Sequence, residues 1–425
     1  MRLFISNGLI VDPENNLESM GDLMIEDGII KEISLYRNRK QQQDTSKDRI
    51  QNMNTAEDIH LDVQGKWIVP GLIDLHVHLR EPGFEYKEDI ESGCRSAAKG
   101  GFTTICCMPN TSPVIDCSYV VLMIDSIAQE GIGVQVQCIG AVTKGQEGKE
   151  LADYEGMIQT GSHAAQLTGK GICGISEDGK TVQDSSLMSQ AMKKAKKLGL
   201  TVFSHAEPEA EIVERDLALA EAAGCRLHFC HISEKRSIEL IREAKKRGVQ
   251  VTAETAPHYF TLNTGDVNGD TNKKMNPPLR QKQDVEAVKQ ALKDGTIDVI
   301  ATDHAPHHER EKSLPFDDAP NGVIGLETSF PVSYTNLVRT GVLTPLELIS
   351  KMSSKPAEIL GINRGSLWIG KSADLTIIDV EQEYEILPET FLSKGKNSPF
   401  LGEKVFGQTA YTIIGGQIIW SNENL

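Results

Sequence analysis

Hydrophobic and polar positions alternate from Leu3 to Val11, and Asp22-Leu-Met-Ile-Glu-Asp27-Gly28-Ile-Ile-Lys-Glu-Ile repeats the alternation around an Asp-Gly pair. Period-two patterning on both sides of such a pair predicts a β-hairpin. Residues 36–60 are polar, Gln-rich and aperiodic, and predict a solvent loop. From Trp67 the rhythm changes. Short apolar segments recur at 67–78, 102–110, 134–142, 171–178, 201–207, 226–233, 249–258 and 297–307, with helix-length stretches between them. Residues 186–199 and 235–248 carry helical patterning and end on Gly, a helix stop. Eight strands alternating with helices predict an α/β fold, a (β/α)8 barrel of the TIM type. After Gly361 the alternation returns, with Gly415-Gly416 as a turn. The two ends resemble each other. They predict one small β domain built from residues 1–66 and 362–425, with the barrel, residues 67–361, inserted between them.

Composition narrows the function classes. Of 425 residues, 39% are hydrophobic and 24% charged, enough for a sizeable core. The net charge of −16 argues against binding a nucleic-acid backbone. An anionic small molecule would need a local cationic pocket. No apolar run approaches the ~20 residues of a membrane span, and the N-terminal segment lacks the apolar core of a signal peptide. The eight Cys form no CxxC pair, which fits a reduced, cytoplasmic protein with buried thiols.

The polar residues worth attention end the predicted strands: Asp74, His76 and His78, then Asp178, His205, His231 and Asp303. In a barrel these ends form the face where active sites are built. His76 and His78, two apart on a strand, share a face and can grip one ion as a pair. The donor set exceeds what one tetrahedral ion uses, and two ions sharing a carboxylate account for it better. Asp178 is suited to sharing because it has two oxygens. Glu177 competes with it, and alternation lets only one of the two face the mouth.

Asp74-Leu-His76-Val-His78-Leu-Arg80-Glu-Pro-Gly83, Met108-Pro-Asn110-Thr, Lys274-Met-Asn276-Pro-Pro-Leu-Arg280, Ala301-Thr-Asp303-His-Ala-Pro-His307 and Gly325-Leu-Glu-Thr together resemble bacterial type I dihydroorotase, of the amidohydrolase superfamily. The likeness runs over nearly the whole chain. It implies two zinc ions per subunit: His76, His78 and Asp303 on one, His205 and His231 on the other, Asp178 bridging. The interval from Asp178 to His205 fits the family spacing. Many relatives bridge with a carboxylated lysine, but the fourth strand end, Gly-Ile-Cys-Gly-Ile-Ser-Glu-Asp, contains no lysine. The implied reaction is reversible hydrolysis of L-dihydroorotate to N-carbamoyl-L-aspartate in pyrimidine synthesis. A metal-activated hydroxide would attack and Asp303 would carry the proton.

Arg80 follows His78 by two, and its guanidinium suits a bidentate carboxylate contact. His78, Asn110, Asn276, His307, Asn321 and Gly322 complete the expected substrate contacts. Asp74 is expected to support a metal ligand or Arg80. His163, His228, His258, His304 and His308 are given no role. The resemblance also implies a homodimer and, in some relatives, association with aspartate carbamoyltransferase. Competing readings are an allantoinase or hydantoinase, which would carry the bridging lysine, and a non-catalytic subunit, which would lose metal ligands. Two departures stand out. The interval from His205 to His231 is shorter than the family's, and Asn321-Gly322 replaces an aromatic-Gly pair.

Overall fold

The computed structural model describes residues 2–36 and 58–422. β1 (Arg2–Asp12), β2 (Leu17–Glu26) and β3 (Ile29–Leu35) form an antiparallel meander. Asp27 and Gly28 turn between β2 and β3 with φ of 50° and 76°, the double positive φ that a two-residue hairpin requires. β4 (Ile59–Asp62) and β5 (Trp67–Pro70) both run parallel to β1. Most of the expected 36–60 loop, residues 37–57, lies outside the described residues. Ile59 and His60, expected in that loop, instead open β4.

Eight parallel strands follow: β6 (Leu72–Val77), β7 (Phe102–Cys107), β8 (Gln135–Ala141), β9 (Gly174–Ser176), β10 (Thr201–Ser204), β11 (Arg226–Phe229), β12 (Val251–Thr255) and β13 (Val299–Ile300). They pair in sequence order into one sheet, the expected (β/α)8 barrel. Each of the eight segments read from the sequence contributes one strand to this sheet. Six longer helices wrap them: α1 (Ile90–Gly100), α2 (Ser118–Gln129), α3 (Ser185–Leu198), α4 (Glu209–Ala223), α5 (Lys235–Lys246) and α6 (Lys282–Asp294). Gly199 caps α3 at φ 62°, as its position just past the apolar pattern requires. The largest apolar cluster lies between strands and helices, where Val202, Leu227 and Val251 meet Val213, Ile238 and Ile241. Burying each such side chain is worth about 1.5–3 kcal/mol.

β14 (Leu375–Glu385), β15 (Lys404–Ile414) and β16 (Gln417–Ser421) complete the second sheet, in the order β16-β15-β14-β5-β1-β2-β3 with β4 against β1. β5 joins the two chain ends, parallel to β1 and antiparallel to β14. The sequence-read first strand, 67–78, is therefore two strands. The chain changes partners across Gly71, whose N–H donates to Asp374 O, while the next N–H, of Leu72, donates to Gly101 O. A Cβ at Gly71 would sit 2.3 Å from Thr103 Oγ1, so the crossing requires glycine. Two buried acids lash the second sheet's loop to the barrel. Glu88 accepts from Ser393 Oγ and Lys394 N, and Glu327 accepts from Leu392 N and Ser393 N.

Closure of the barrel is less regular than its other seams. β6 and β13 share no ladder. Instead Val77 bridges His304, just past β13, and His78 N donates to His304 O at 2.8 Å. Asp74 Oδ1 accepts from both His76 N and Thr302 N, each at 3.1 Å, tying the two strand ends together.

The hairpin turn offers a test of the end-built sheet. A Cβ on Gly28 would lie 2.7 Å from Gly415 O, whereas Gly65, also at positive φ, has nothing within 4 Å. Gly65→Ala should cost about 1 kcal/mol, the conformational penalty alone. Gly28→Ala should cost about 2–3 kcal/mol, because the turn must also move off the second turn. Urea midpoints of the two variants check the difference.

Candidate metal centre

Strand ends converge as the barrel geometry demands. β6 delivers His76 and, just past its end, His78, the turn after β9 delivers Asp178, and the residues after β10, β11 and β13 deliver His205, His231 and Asp303. All six are buried. Asp178 stands at the centre. Its Oδ1 lies 3.3 Å from His76 Nε2, 3.3 Å from His205 Nδ1 and 3.7 Å from His231 Nε2, and its Oδ2 lies 3.5 Å from His78 Nε2. Asp303 Oδ1 lies 3.2 Å from His78 Nε2 and 3.4 Å from His76 Nε2. His205 Nδ1 and His231 Nε2 are 2.9 Å apart.

Burial opposes the Asp178 charge, but His76, followed by the neighbouring His205 and His231, holds its carboxyl well below the usual carboxylate range. Asp303 is held low in the same way, by His76 and then His78 against the cost of burial. Two positions are conformationally forced. His231 and Asp303 sit at φ 38° and 49°, in the left-handed region that side chains other than glycine enter at a cost, and there each turns its side chain into the mouth.

The donor chemistry fits divalent cations. His76 Nε2 and Asp178 Oδ1 are fully buried and lack a hydrogen-bond partner, an arrangement that is costly unless a cation fills it. Two overlapping triplets place donor atoms within 4.8 Å of one another: His76, His78 and Asp303, and His76, Asp178 and His231. A third, of His76, Cys230 and Glu254, lies behind the first two. Burial pushes the Cys230 thiol up, so it stays protonated and is a poor ligand.

The support behind these donors explains their orientation. His76 Nδ1 contacts Glu254 Oε1 at 2.7 Å, and Glu254 Oε2 contacts His228 Nε2 at 3.0 Å. Donation from Nδ1 to the carboxylate leaves the Nε2 lone pair aimed at the mouth. Asn110 Oδ1 does the same for His78 Nδ1 at 2.9 Å. Glu177 turns the other way, accepting from Thr143 N at 3.0 Å and from Thr143 Oγ1. Asp74 does not reach Arg80 but binds backbone N–H groups of His76 and Thr302. The lysines flanking β9 are engaged elsewhere: Lys170 Nζ donates to Leu198 O and Gly199 O, and Lys180 Nζ to Gln146 O.

Above the cluster is a cleft of about 210 Å³ lined by His78, Arg80, Asn110, Asn276, His307 and Asn321, among others. Arg80, at φ 63°, donates from Nε to Pro306 O at 3.2 Å, and its Nη2 lies 3.3 Å from His307 Nε2. Asn276 Nδ2 donates to Glu207 Oε2 at 2.7 Å and lies 3.4 Å from His205 Nε2. His307 Nε2 meets Asn321 O at 2.8 Å. Gly322 contributes backbone only, because a Cβ would lie 2.9 Å from Ala305 and 3.0 Å from His307 Nε2. Despite its short interval, the His205–His231 span holds a complete helix, α4. His304 is structural, accepting from Gly325 N and facing Glu88, and His308 caps the short helix Glu309–Lys312.

Sequence reading missed Glu254, Asn397 and Lys87. Glu254 had a signal, a carboxylate inside an apolar strand segment. Asn397 had none. It reaches from the second sheet's loop to the rim, where Oδ1 accepts from His307 N and Nδ2 donates to Ala305 O and Gly322 O.

Residues 67–419 match the amidohydrolase family. A dihydroorotase from Trichlorobacter lovleyi is 43% identical over 450 aligned positions, covering 99% of this chain and all of that one. A dihydroorotase from Ruminiclostridium cellulolyticum is 43% identical and covers 98% of both. Among solved structures, an L-hydantoinase from Arthrobacter aurescens superposes with a TM-score of 0.85 at 24% identity, covering 100% of this chain and 97% of that one.

Glu254→Gln tests the orienting contact. It keeps the volume but removes the charge between His76 and His228. Metal affinity should fall about 10–100-fold, measured by zinc competition with a chelator, with the urea midpoint little changed.

Proposed function

The chain belongs to the amidohydrolase family, and on that premise we propose that it is a dihydroorotase, hydrolysing L-dihydroorotate reversibly to N-carbamoyl-L-aspartate. The observation that carries the reading is 43% identity to curated dihydroorotases over essentially the whole of both chains. The cleft adds a physical reason, an Arg guanidinium beside a buried His–Asp cluster in a chain of net charge −16. In our reading the cluster holds two zinc ions, one on His76, His78 and Asp303, the other on His205 and His231, with Asp178 shared. Bound there, they would activate a water and polarise the ring carbonyl.

The protein's own groups do the rest. Arg80 pairs with the substrate carboxylate, with Asn276 and His307 alongside. The attacking oxygen adds to the ring carbonyl carbon and Asp303 accepts its proton. The ring C–N bond then breaks, and Asp303 returns the proton to the leaving nitrogen. A carboxylate can do both because the proton never leaves hydrogen-bond reach. A hydantoinase-like site bridged by a carboxylated lysine is disfavoured, because no lysine among the described residues lines the cleft. A non-catalytic subunit is disfavoured because all six donors are present and converge.

Metal-replete protein should hydrolyse L-dihydroorotate and leave allantoin and unsubstituted hydantoin essentially untouched. Arg80→Met should lower kcat/KM by an amount on the order of 2–4 kcal/mol at unchanged metal content. Equal turnover of a cyclic amide lacking the carboxylate would refute the clamp and favour a hydantoinase.

Asp303→Asn keeps the side chain's size and some ligation but removes the base. Its kcat should fall ~100-fold or more, with at least one metal retained. Near-normal turnover by a metal-replete variant would exclude the shuttle.

A further inference from the structure

His307 lies at the rim, outside the buried cluster, and its hydrogen bonds define where its proton resides. Nε2 is 2.8 Å from Asn321 O, a carbonyl that can only accept, so Nε2 must carry hydrogen. Nδ1 is 3.4 Å from Lys87 Nζ, an ammonium that can only donate. Lys87 is itself held by Glu311 Oε1 at 3.0 Å, and its side chain is only 14% exposed. Tyr86 Oη donates to the same Glu311 oxygen.

We propose that Lys87, anchored by Glu311, is a positioning residue that fixes His307 as the neutral tautomer with its proton on Nε2, the nitrogen that meets Asn321 O and lies beside Arg80. The inference rests on the proposed activity only for its consequence, that with the Nε2–H held on Asn321 O the Arg80 guanidinium keeps its donors for a carboxylate-bearing substrate. Without Lys87, the Nδ1 position would be free to carry the proton and donate to Glu311 Oε2, 3.4 Å away. Nε2 would then be a bare lone pair, 3.3 Å from Arg80 Nη2, and would capture the guanidinium N–H meant for the substrate. With the proton on Nε2, that contact is not a hydrogen bond and Arg80 keeps its donors.

The electrostatics agree. Burial, followed by the charges of Arg80, Lys87 and Lys312, pushes the His307 imidazole down to about 3, with Glu311 the opposing charge. The groups facing the ring are thus Arg80 and Lys87 from the loop after β6, Glu311 and Lys312 from the Glu309–Lys312 helix, and the backbone of Asn321. The ring is thus held in its neutral form, and the contact of Lys87 with Nδ1 then selects between the two neutral tautomers.

Imidazole 15N–1H correlation spectra of the full-length holoenzyme test this, with the His307 signal identified by its loss in His307→Asn. Wild type should show a neutral ring protonated on Nε2 from pH 6 to 8. Lys87→Met should move proton density to Nδ1, and Lys87→Arg should restore the wild-type pattern. With L-dihydroorotate, Lys87→Met should raise KM at least tenfold while kcat changes less than threefold. A wild-type ring protonated on Nδ1, or doubly protonated at pH 7, overturns the proposal without need of any variant. So does a Lys87→Met protein that keeps both the Nε2–H signal and the wild-type KM. If wild type turned over no carboxylate-bearing cyclic amide, the proposed activity would fail, while the spectra would still decide the tautomer.

Discussion

The seam between the first and eighth barrel strands governs the rest of the structure. The other neighbouring strands share ladder pairs, but β6 and β13 are joined by one carboxylate and a few contacts past the strand ends. Asp74 is fully buried, and it accepts the N–H of His76 on one strand and of Thr302 on the other. Those two N–H groups would have no ladder partner without it, and an unmade buried hydrogen bond costs about 1–3 kcal/mol. Burial raises the Asp74 carboxyl to about 7, so the protein tolerates an expensive group to close the barrel there. The same seam sets His76 and His78 against Asp303. The metal centre is thus assembled where the barrel closes.

The site divides its charges by depth. The floor has four imidazoles around two carboxylates, complementary to cations. The rim has Arg80, complementary to an anion, with Lys87 and Lys312 near His307 behind it, in a chain that is otherwise strongly acidic. Glu311 neutralises part of the rim without reaching the cleft, and the neutral His307 separates Arg80 from Lys87. A purely cationic rim would repel a cation held beneath it and a purely acidic one would repel an anionic substrate, so the layering serves both.

The second sheet contributes more than a place to store the chain ends. Its loop sends Asn397 to the rim, where one amide holds His307 N, Ala305 O and Gly322 O. Glu88 and Glu327 secure that loop to the barrel. A residue nearly a hundred positions beyond the last barrel strand therefore shapes the substrate side of the cleft.

What the sequence determined alone was whatever depends on local period. Eight apolar segments with helical spacers specified the barrel, alternation put His76 and His78 on one face, and the same alternation turned Glu177 away from the mouth while Asp178 faced it. The Asp27-Gly28 and Gly415-Gly416 turns were legible because their φ values admit few other residues. Tertiary structure alone decided the pairings between distant segments. Glu254 meets His76 across 178 positions and Lys87 meets His307 across 220. The transfer of Trp67–Pro70 to the other sheet depended on Asp374 and Gly101 being in place to receive the chain on either side of Gly71. Periodicity says which face of an element is buried. It carries no information about which distant polar group will be waiting there, because that is set by barrel closure and by the packing of the chain's two ends.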